Sequence, residues 1–150
     1  MNVAFIPVRG GSKSIPLKNI KPMCGKPLVY WTVAAACGCA KIDKVYVATD
    51  SEKIRETLLE VKQQEKNEAF QKLEVIGRSA ESASDTASTE FAMLEFANEH
   101  AFDHIVLIQA TSPLLTAEDL DRGFALYEEA DTDSVLSVVC LLYTSPSPRD

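Results

Sequence analysis

The residues whose types and spacing could do chemistry lie in one loop near the start of the chain, Arg9-Gly-Gly-Ser-Lys-Ser-Ile-Pro-Leu-Lys-Asn19. They suit the binding of a polyphosphate. Arg9, Lys13 and Lys18 supply positive charge and Ser12 a hydroxyl donor, while Gly10 and Gly11 permit close backbone approach and positive φ, so that main-chain amides can face an anion. The familiar phosphate loops do not describe this segment. A Walker A loop needs Gly directly before Lys-Ser, whereas Ser12 precedes Lys13-Ser14. The dinucleotide pattern GxGxxG fails as well, because Gly10 and Gly11 are adjacent and no third Gly follows in place. A P-loop ATPase and a Rossmann dehydrogenase are set aside on those grounds.

The charge distribution points the same way. The 150 residues carry 15 Lys and Arg against 22 Asp and Glu, for a net charge of −7. That balance argues against a general nucleic-acid binder, whose basic footprint would dominate. Residues 1–42 nevertheless hold six cations (Arg9, Lys13, Lys18, Lys21, Lys26 and Lys41) and not one acid. A lysine-rich surface loop would give the same count; a pocket for a small, highly charged anion is the sharper reading.

The elements that must position this loop follow from periodicity. Short apolar runs alternate with helix-period stretches, the pattern of βαβ units around a buried parallel sheet, and ligands of such sheets bind beyond the carboxyl ends of the strands. Strands are expected at 3–8, 44–49, 73–76, 105–109 and 134–139. A first helix is expected from Pro27 to about Ala36. A second, capped by Asp50 or Ser51, turns Ile54, Leu58 and Val61 inward and ends in an exposed polar tail over 62–68. A third follows the Ser/Thr-rich loop 78–86 with Ala87, Phe91 and Leu94 inward. A fourth opens on the capping box Thr116/Asp119 and buries Leu120, Phe124 and Tyr127. Tyr30 and Trp31 are read as core groups rather than base-stacking ones.

The length suits one domain, and 46% hydrophobic with 25% charged residues is globular. No run approaches the roughly 20 apolar residues of a membrane helix, and no signal-peptide layout opens the chain, so a soluble cytoplasmic protein is expected. Cys24, Cys37, Cys39 and Cys140 have neither zinc nor CxxC spacing and are read as reduced thiols. His100 and His104 are four apart, but a strand-like run follows at once, so neither is read as a metal ligand.

Beyond these local readings, Ile6-Pro-Val-Arg-Gly-Gly-Ser-Lys-Ser-Ile-Pro-Leu-Lys-Asn-Ile20 with Gly25-Lys-Pro-Leu28 resembles the signature of acylneuraminate cytidylyltransferases, which make CMP-sialic acid. The resemblance continues at Ala48-Thr-Asp50, Arg78-Ser-Ala-Glu81, Ser84-Asp-Thr-Ala-Ser88, Gln109-Ala-Thr-Ser-Pro113 and Asp133-Ser-Val-Leu-Ser-Val138. It implies an α/β fold, a Rossmann-like three-layer sandwich with a mostly parallel sheet of the nucleotide-diphospho-sugar transferase type. The domain is expected over 1–139, C-terminally truncated, with 140–150 a non-matching, disordered or foreign tail.

The implied reaction moves CMP from CTP to the anomeric hydroxyl of a nonulosonic acid and releases pyrophosphate, with Mg²⁺ as cofactor. Carried over by motif position, Arg9 and Lys18 are the catalytic cations. Gly10, Gly11, Ser12, Lys13 and Asn19 join them on the nucleotide. Arg78, Ala87, Ser88, Gln109, Thr111 and Ser112 line the nucleotide and sugar side, and a helix start at 86–88 would offer an anion seat. Asp50 is divided between a site role and a helix cap.

Ser14 departs from the family's usual Gly. The acidic metal ligands, the sugar-acid grip and the dimerisation segment are expected beyond residue 150, and the full-length protein is expected to be a homodimer. A cytidylyltransferase for the eight-carbon acid KDO ranks second, since that group has an Asp where this chain has Ala110-Thr111. A non-catalytic CTP-binding fragment is the rival from another class.

Overall fold

In the computed structural model the described residues are 1–11, 15–84, 86–130 and 132–138. Four strands, β1 (Asn2–Val8), β4 (Lys44–Thr49), β5 (Leu73–Ile76) and β6 (His104–Leu107), form one sheet in the order β5-β4-β1-β6. Every pairing in it is parallel, with Ala4 opposite Val45 and Val106, and Val47 opposite Val75. The two central strands are buried on both faces, which is why β1 and β4 read as almost continuous apolar runs.

Alternation along these strands feeds two cores. Ala4, Ile6, Val8, Val45 and Val47 point to one face, under α1 (Leu28–Gly38), α2 (Glu52–Gln64) and α4 (Ala117–Glu129). Val3, Phe5, Tyr46 and Ala48 point to the other, under α3 (Thr89–Glu99). Helices on both faces of a parallel sheet make the expected three-layer α/β sandwich.

Ile54, Leu58 and Val61 all turn inward from α2, as their spacing predicts, and full burial of such side chains is worth about 2 kcal/mol each. The box at Thr116 is present: its Oγ1 accepts the Asp119 N–H at 3.2 Å while Asp119 accepts the Thr116 N–H at 3.0 Å. Phe124 is buried and Leu120 packs against the same core. Cys37 and Cys39 are buried free thiols, and burial pushes Cys37 up to about 12, which leaves it protonated and inert. His100 stacks on Phe96, and the His104 Nδ1 lies 2.8 Å from Asn2 Oδ1, so both have structural partners. Tyr30 stacks on Phe70, and Trp31 Nε1 donates to the Met23 carbonyl at 3.1 Å.

Four expectations are corrected. The third helix starts at Thr89, capped by Ser88, so Ala87 precedes it, and Ala92 and Phe96 face inward instead of Phe91 and Leu94. An aromatic cluster decides the face: Phe96 lies 4.8 Å from Phe5 and 5.0 Å from Tyr46, ring centroid to centroid. The tail expected over 62–68 is not simply solvated, since Lys62 Nζ, in the last turn of α2, donates to the Leu73 carbonyl at 2.6 Å and Glu65 pairs with Lys26. The strand ending at 109 stops at Leu107, with one further ladder-like bond from Ile108 N–H to the Phe5 carbonyl at 3.0 Å. Residues 134–138 form no strand, and Leu136 is 83% exposed. Among the described residues nothing pairs with this segment, and a strand without a ladder partner leaves its backbone to water. Residue 139 and the expected tail over 140–150 lie outside the described residues.

Candidate functional site

Because all four strands of the main sheet run in parallel, their carboxyl ends open on one edge. There the chain leaves Val8 for Arg9, Thr49 for Asp50, Ile76 for Gly77 and Arg78, and Leu107 for the segment reaching Gln109. The loop that the sequence singles out begins on this edge.

Its first turn is tied to the end of β4. Gly10 N–H donates to Asp50 Oδ1 at 2.9 Å. A Cβ at Gly10 would lie 2.8 Å from the Cβ of Ser51, a distance real side chains essentially never adopt, so glycine is required here by proximity. Neither Gly10 nor Gly11 has the positive φ expected of it, and Gly25 is the one glycine among the described residues that does. Gly25 (φ 80) and Cys24 (φ 51) form the two-residue turn of a hairpin, β2 (Pro22–Met23) with β3 (Lys26–Pro27), whose tight twist demands positive φ at both positions.

The hairpin is fastened to the body at three points. Leu28 N–H donates to the Lys21 carbonyl at 2.9 Å, Trp31 Nε1 reaches Met23, and Lys26 Nζ pairs with Glu65 at 2.6 Å while lying 4.7 Å over the Tyr30 ring. Immediately before it, Leu17 (φ 51) opens the 3-10 turn Lys18–Ile20, which carries two of the singled-out residues. Lys18 is half-buried. Asn19 is buried; its Nδ2 faces the Arg9 carbonyl at 3.5 Å, and its Oδ1 has no hydrogen-bond partner among the described residues. An orphaned buried amide oxygen is costly unless a donor completes it. Ser12 and Lys13, and the Ser14 departure, lie outside the described residues.

On the other side Arg78 is held by a loop folded on Ser82. Arg78 Nε donates to Ser82 Oγ at 3.2 Å, and the guanidinium also donates to the Ser82 carbonyl. Ser82 is fully buried, and its N–H donates to Ser79 Oγ at 3.0 Å. Burial lowers the Arg78 pKa, opposed by the charges of Asp50 and Glu95 and assisted by that of Arg9. Arg9, Asp50 and Glu95 thus all act on the charge of Arg78. The hydroxyls of Ser79 and Ser82 hold Glu95 below the usual carboxylate range, so it remains charged beside Arg78. A cavity of about 410 Å³ opens next to this cluster, between Ile76 and Arg78 on the strand side and Glu95 and Phe96 on α3.

The remaining singled-out residues stand apart from these contacts. Gln109, Thr111 and Ser112 are exposed in the turn after β6, closed by Ser112 N–H donating to the Gln109 carbonyl at 3.1 Å. Ser88 Oγ already accepts the Phe91 N–H at 3.1 Å as the cap of α3, and Ala87 N–H donates to Ser84 Oγ at 3.2 Å. Ser82 and Glu95 escape sequence reasoning altogether. No periodicity marks a loop serine, and Glu95 is one more polar residue on an outer helix turn.

The Cytidylyltransferase family model matches residues 3–144. The chain is 39% identical over 137 residues to N-acylneuraminate cytidylyltransferase A of Danio rerio, covering 91% of this chain and 30% of that protein. It is 32% identical over 138 residues to the N-acylneuraminate cytidylyltransferase of Streptococcus agalactiae serotype III, covering 90% and 31%. The chain thus spans under a third of the length of these relatives. Among solved structures it is similar to CMP:2-keto-3-deoxy-manno-octonic acid synthetase complexed with CTP, at TM-score 0.71 and 20% identity, over 85% of this chain and 47% of the other. That likeness is one of fold.

Proposed function

The chain belongs to the Cytidylyltransferase family, and from that membership we propose that it is the CTP-binding part of an enzyme that transfers CMP to a nonulosonic acid of the sialic type. The observation that carries the reading is that, at the carboxyl edge of the sheet, the Lys18–Asn19 turn is tied to the Arg9 carbonyl and the Ser82-held Arg78 lies within electrostatic reach of Arg9. The relatives at 32% and 39% identity, both N-acylneuraminate cytidylyltransferases, favour the nine-carbon acid over KDO.

In the proposed reaction the anomeric hydroxyl oxygen attacks the α-phosphorus of CTP, the bond from that phosphorus to the bridging oxygen breaks, and pyrophosphate departs. No covalent nucleophile from the protein is required. Arg9 and Lys18 offset charge on the phosphates, with Lys18 toward the α-phosphate, and Gly10, Gly11, Ser12 and Lys13 shape the surrounding loop. Asn19, with a buried oxygen in need of a donor, suits the nucleotide's amino or hydroxyl groups. Arg78, Ala87, Ser88, Gln109, Thr111 and Ser112 complete the nucleotide and sugar side.

The reading carries with it Mg²⁺ as cofactor, a cytoplasmic location and a homodimer for the full-length protein. Among the described residues no group of three or more His, Cys, Asp or Glu could hold a metal ion. What they offer a polyphosphate is neutralisation by Arg9, Lys18 and Arg78. No helix among the described residues is long and apolar enough to cross a membrane.

Calorimetric titration with CTP, ATP, GTP and UTP in Mg²⁺ tests the reading. CTP should bind in preference to the others, and Arg9→Ala or Lys18→Ala should each weaken it about tenfold or more, equivalent to at least about 1.4 kcal/mol. Equal binding of all four nucleotides, or none by the folded chain, rejects it.

A further inference from the structure

Asp50 sits directly after β4, where an acidic residue ordinarily caps the following helix. Here it does not. Ser51 occupies the N-cap position of α2 and makes no side-chain cap bond, while Asp50 Oδ1 accepts the N–H of Gly10, forty residues earlier in the chain, at 2.9 Å. The approach is close enough that a methyl group on Gly10 would collide with Ser51. Two independent features, a well-placed hydrogen bond and a steric fit, thus dock the first turn of the loop after β1 onto the end of β4.

We infer that Asp50 is a positioning residue, a latch that holds the Gly10 amide and thereby sets the path of the loop that carries Arg9 and leads toward Lys18. The inference rests on the proposed function in that the loop's ligand is taken to be the triphosphate of CTP. The latch engages the Gly10 N–H in the protein, so Gly10 acts through close approach rather than as a donor to the phosphates. A carboxylate beside an anion site would repel the ligand if left bare. At Asp50 the carboxylate is turned toward a backbone donor, and its charge favours the cationic form of Arg78.

A latch depends on where the acceptor oxygen stands, not on the negative charge. Asp50→Asn keeps an oxygen at the same reach, Asp50→Glu keeps the charge but moves it one methylene further, and Asp50→Ala removes both. The readouts are the exchange rate of the Gly10 amide hydrogen, by NMR, and the CTP dissociation constant in Mg²⁺, by calorimetry. In Asp50→Ala and Asp50→Glu, Gly10 exchange should rise about tenfold or more and CTP binding should weaken about tenfold. Asp50→Asn should stay within about threefold of the wild type in both.

Asp50→Asn behaving as badly as Asp50→Ala toward CTP, with Asp50→Glu near wild type, would overturn the inference in favour of a role for the charge itself. Unchanged Gly10 exchange in all three variants would overturn it outright. Should Asp50→Ala not fold, the contrast between Asn and Glu decides alone. If the wild-type chain binds no CTP while Gly10 exchange still follows the Asn-over-Glu order, the functional reading falls and the latch stands.

Discussion

A single methyl group separates the two glycines of the loop in their consequences. At Gly10 an added Cβ meets the Cβ of Ser51 at 2.8 Å, a rigid neighbour, whereas at Gly11 no described atom lies within 4 Å. Gly10→Ala should therefore destabilise the fold by about 1–3 kcal/mol, as overpacking does. Gly11→Ala should stay within about 0.5 kcal/mol, since it touches nothing. Urea unfolding of the two variants checks the contrast, and equal losses would place the strain elsewhere in the loop. The sequence could raise these glycines as a pair but could not rank them. What distinguishes them is Ser51, whose closeness comes from the parallel register of β1 on β4. The same holds for Asp50: its residue type is visible, while its partner Gly10 becomes visible only when two strands are laid side by side. Arg9 and Lys18 stand out in the sequence because charge and spacing are properties of the chain itself.

Elements fared according to how local their causes are. The helix with Ile54, Leu58 and Val61 inward and the box at Thr116 follow from spacing within one turn or two, and the structure has both. The face of α3 does not, because Phe96 is chosen by Phe5 and Tyr46 on strands far away in the chain. Nor does the strand expected over 134–139, whose described part, 134–138, has no neighbour among the described residues to complete its ladder. The β2–β3 hairpin carries a testable consequence of its fastening. Hydrogen bonding to Lys26 holds Glu65 below its ordinary carboxylate value of 4.5, and the same bond raises Lys26 above 10.5. A depressed acid stabilises the fold above its ordinary value and loses that contribution as pH falls through the lowered one. The raised lysine keeps its share below 10.5 and loses it as pH rises through the folded value. Glu65→Gln should thus melt lower than wild type at neutral pH. The difference should vanish on acidification below the folded value, as followed by thermal melts at stepped pH. A constant difference down to acid would mean that packing, not the ion pair, secures the hairpin.

At the scale of the whole molecule, the split between a cationic start and an acidic remainder has a structural use and, under the proposed function, a binding one. Lys26 pairs with Glu65 at 2.6 Å and Lys41 with Glu128 at 2.7 Å, so these two early cations join the front of the chain to its acidic back. Under the proposed function Arg9, Lys18 and Arg78 supply positive charge at the sheet edge, where the net charge of −7 would otherwise repel a polyphosphate. The local field at the mouth, rather than the average, must then account for anion binding, and such a field is screened by salt. Between 0.1 and 1 M ionic strength the screening length falls from about 10 to about 3 Å, so CTP affinity should drop roughly fivefold or more over that range. Arg9→Ala and Lys18→Ala should bind weakly at low salt and show a shallower dependence, having already lost part of the attraction. Lys41→Ala should leave the dependence as it is, because its charge is answered by Glu128 away from the edge. Titrations of the three variants at stepped salt separate a field made by the loop from one made by the early cations in bulk. Equal slopes for Lys41→Ala and Arg9→Ala would assign the attraction to total charge and remove the special standing of the loop.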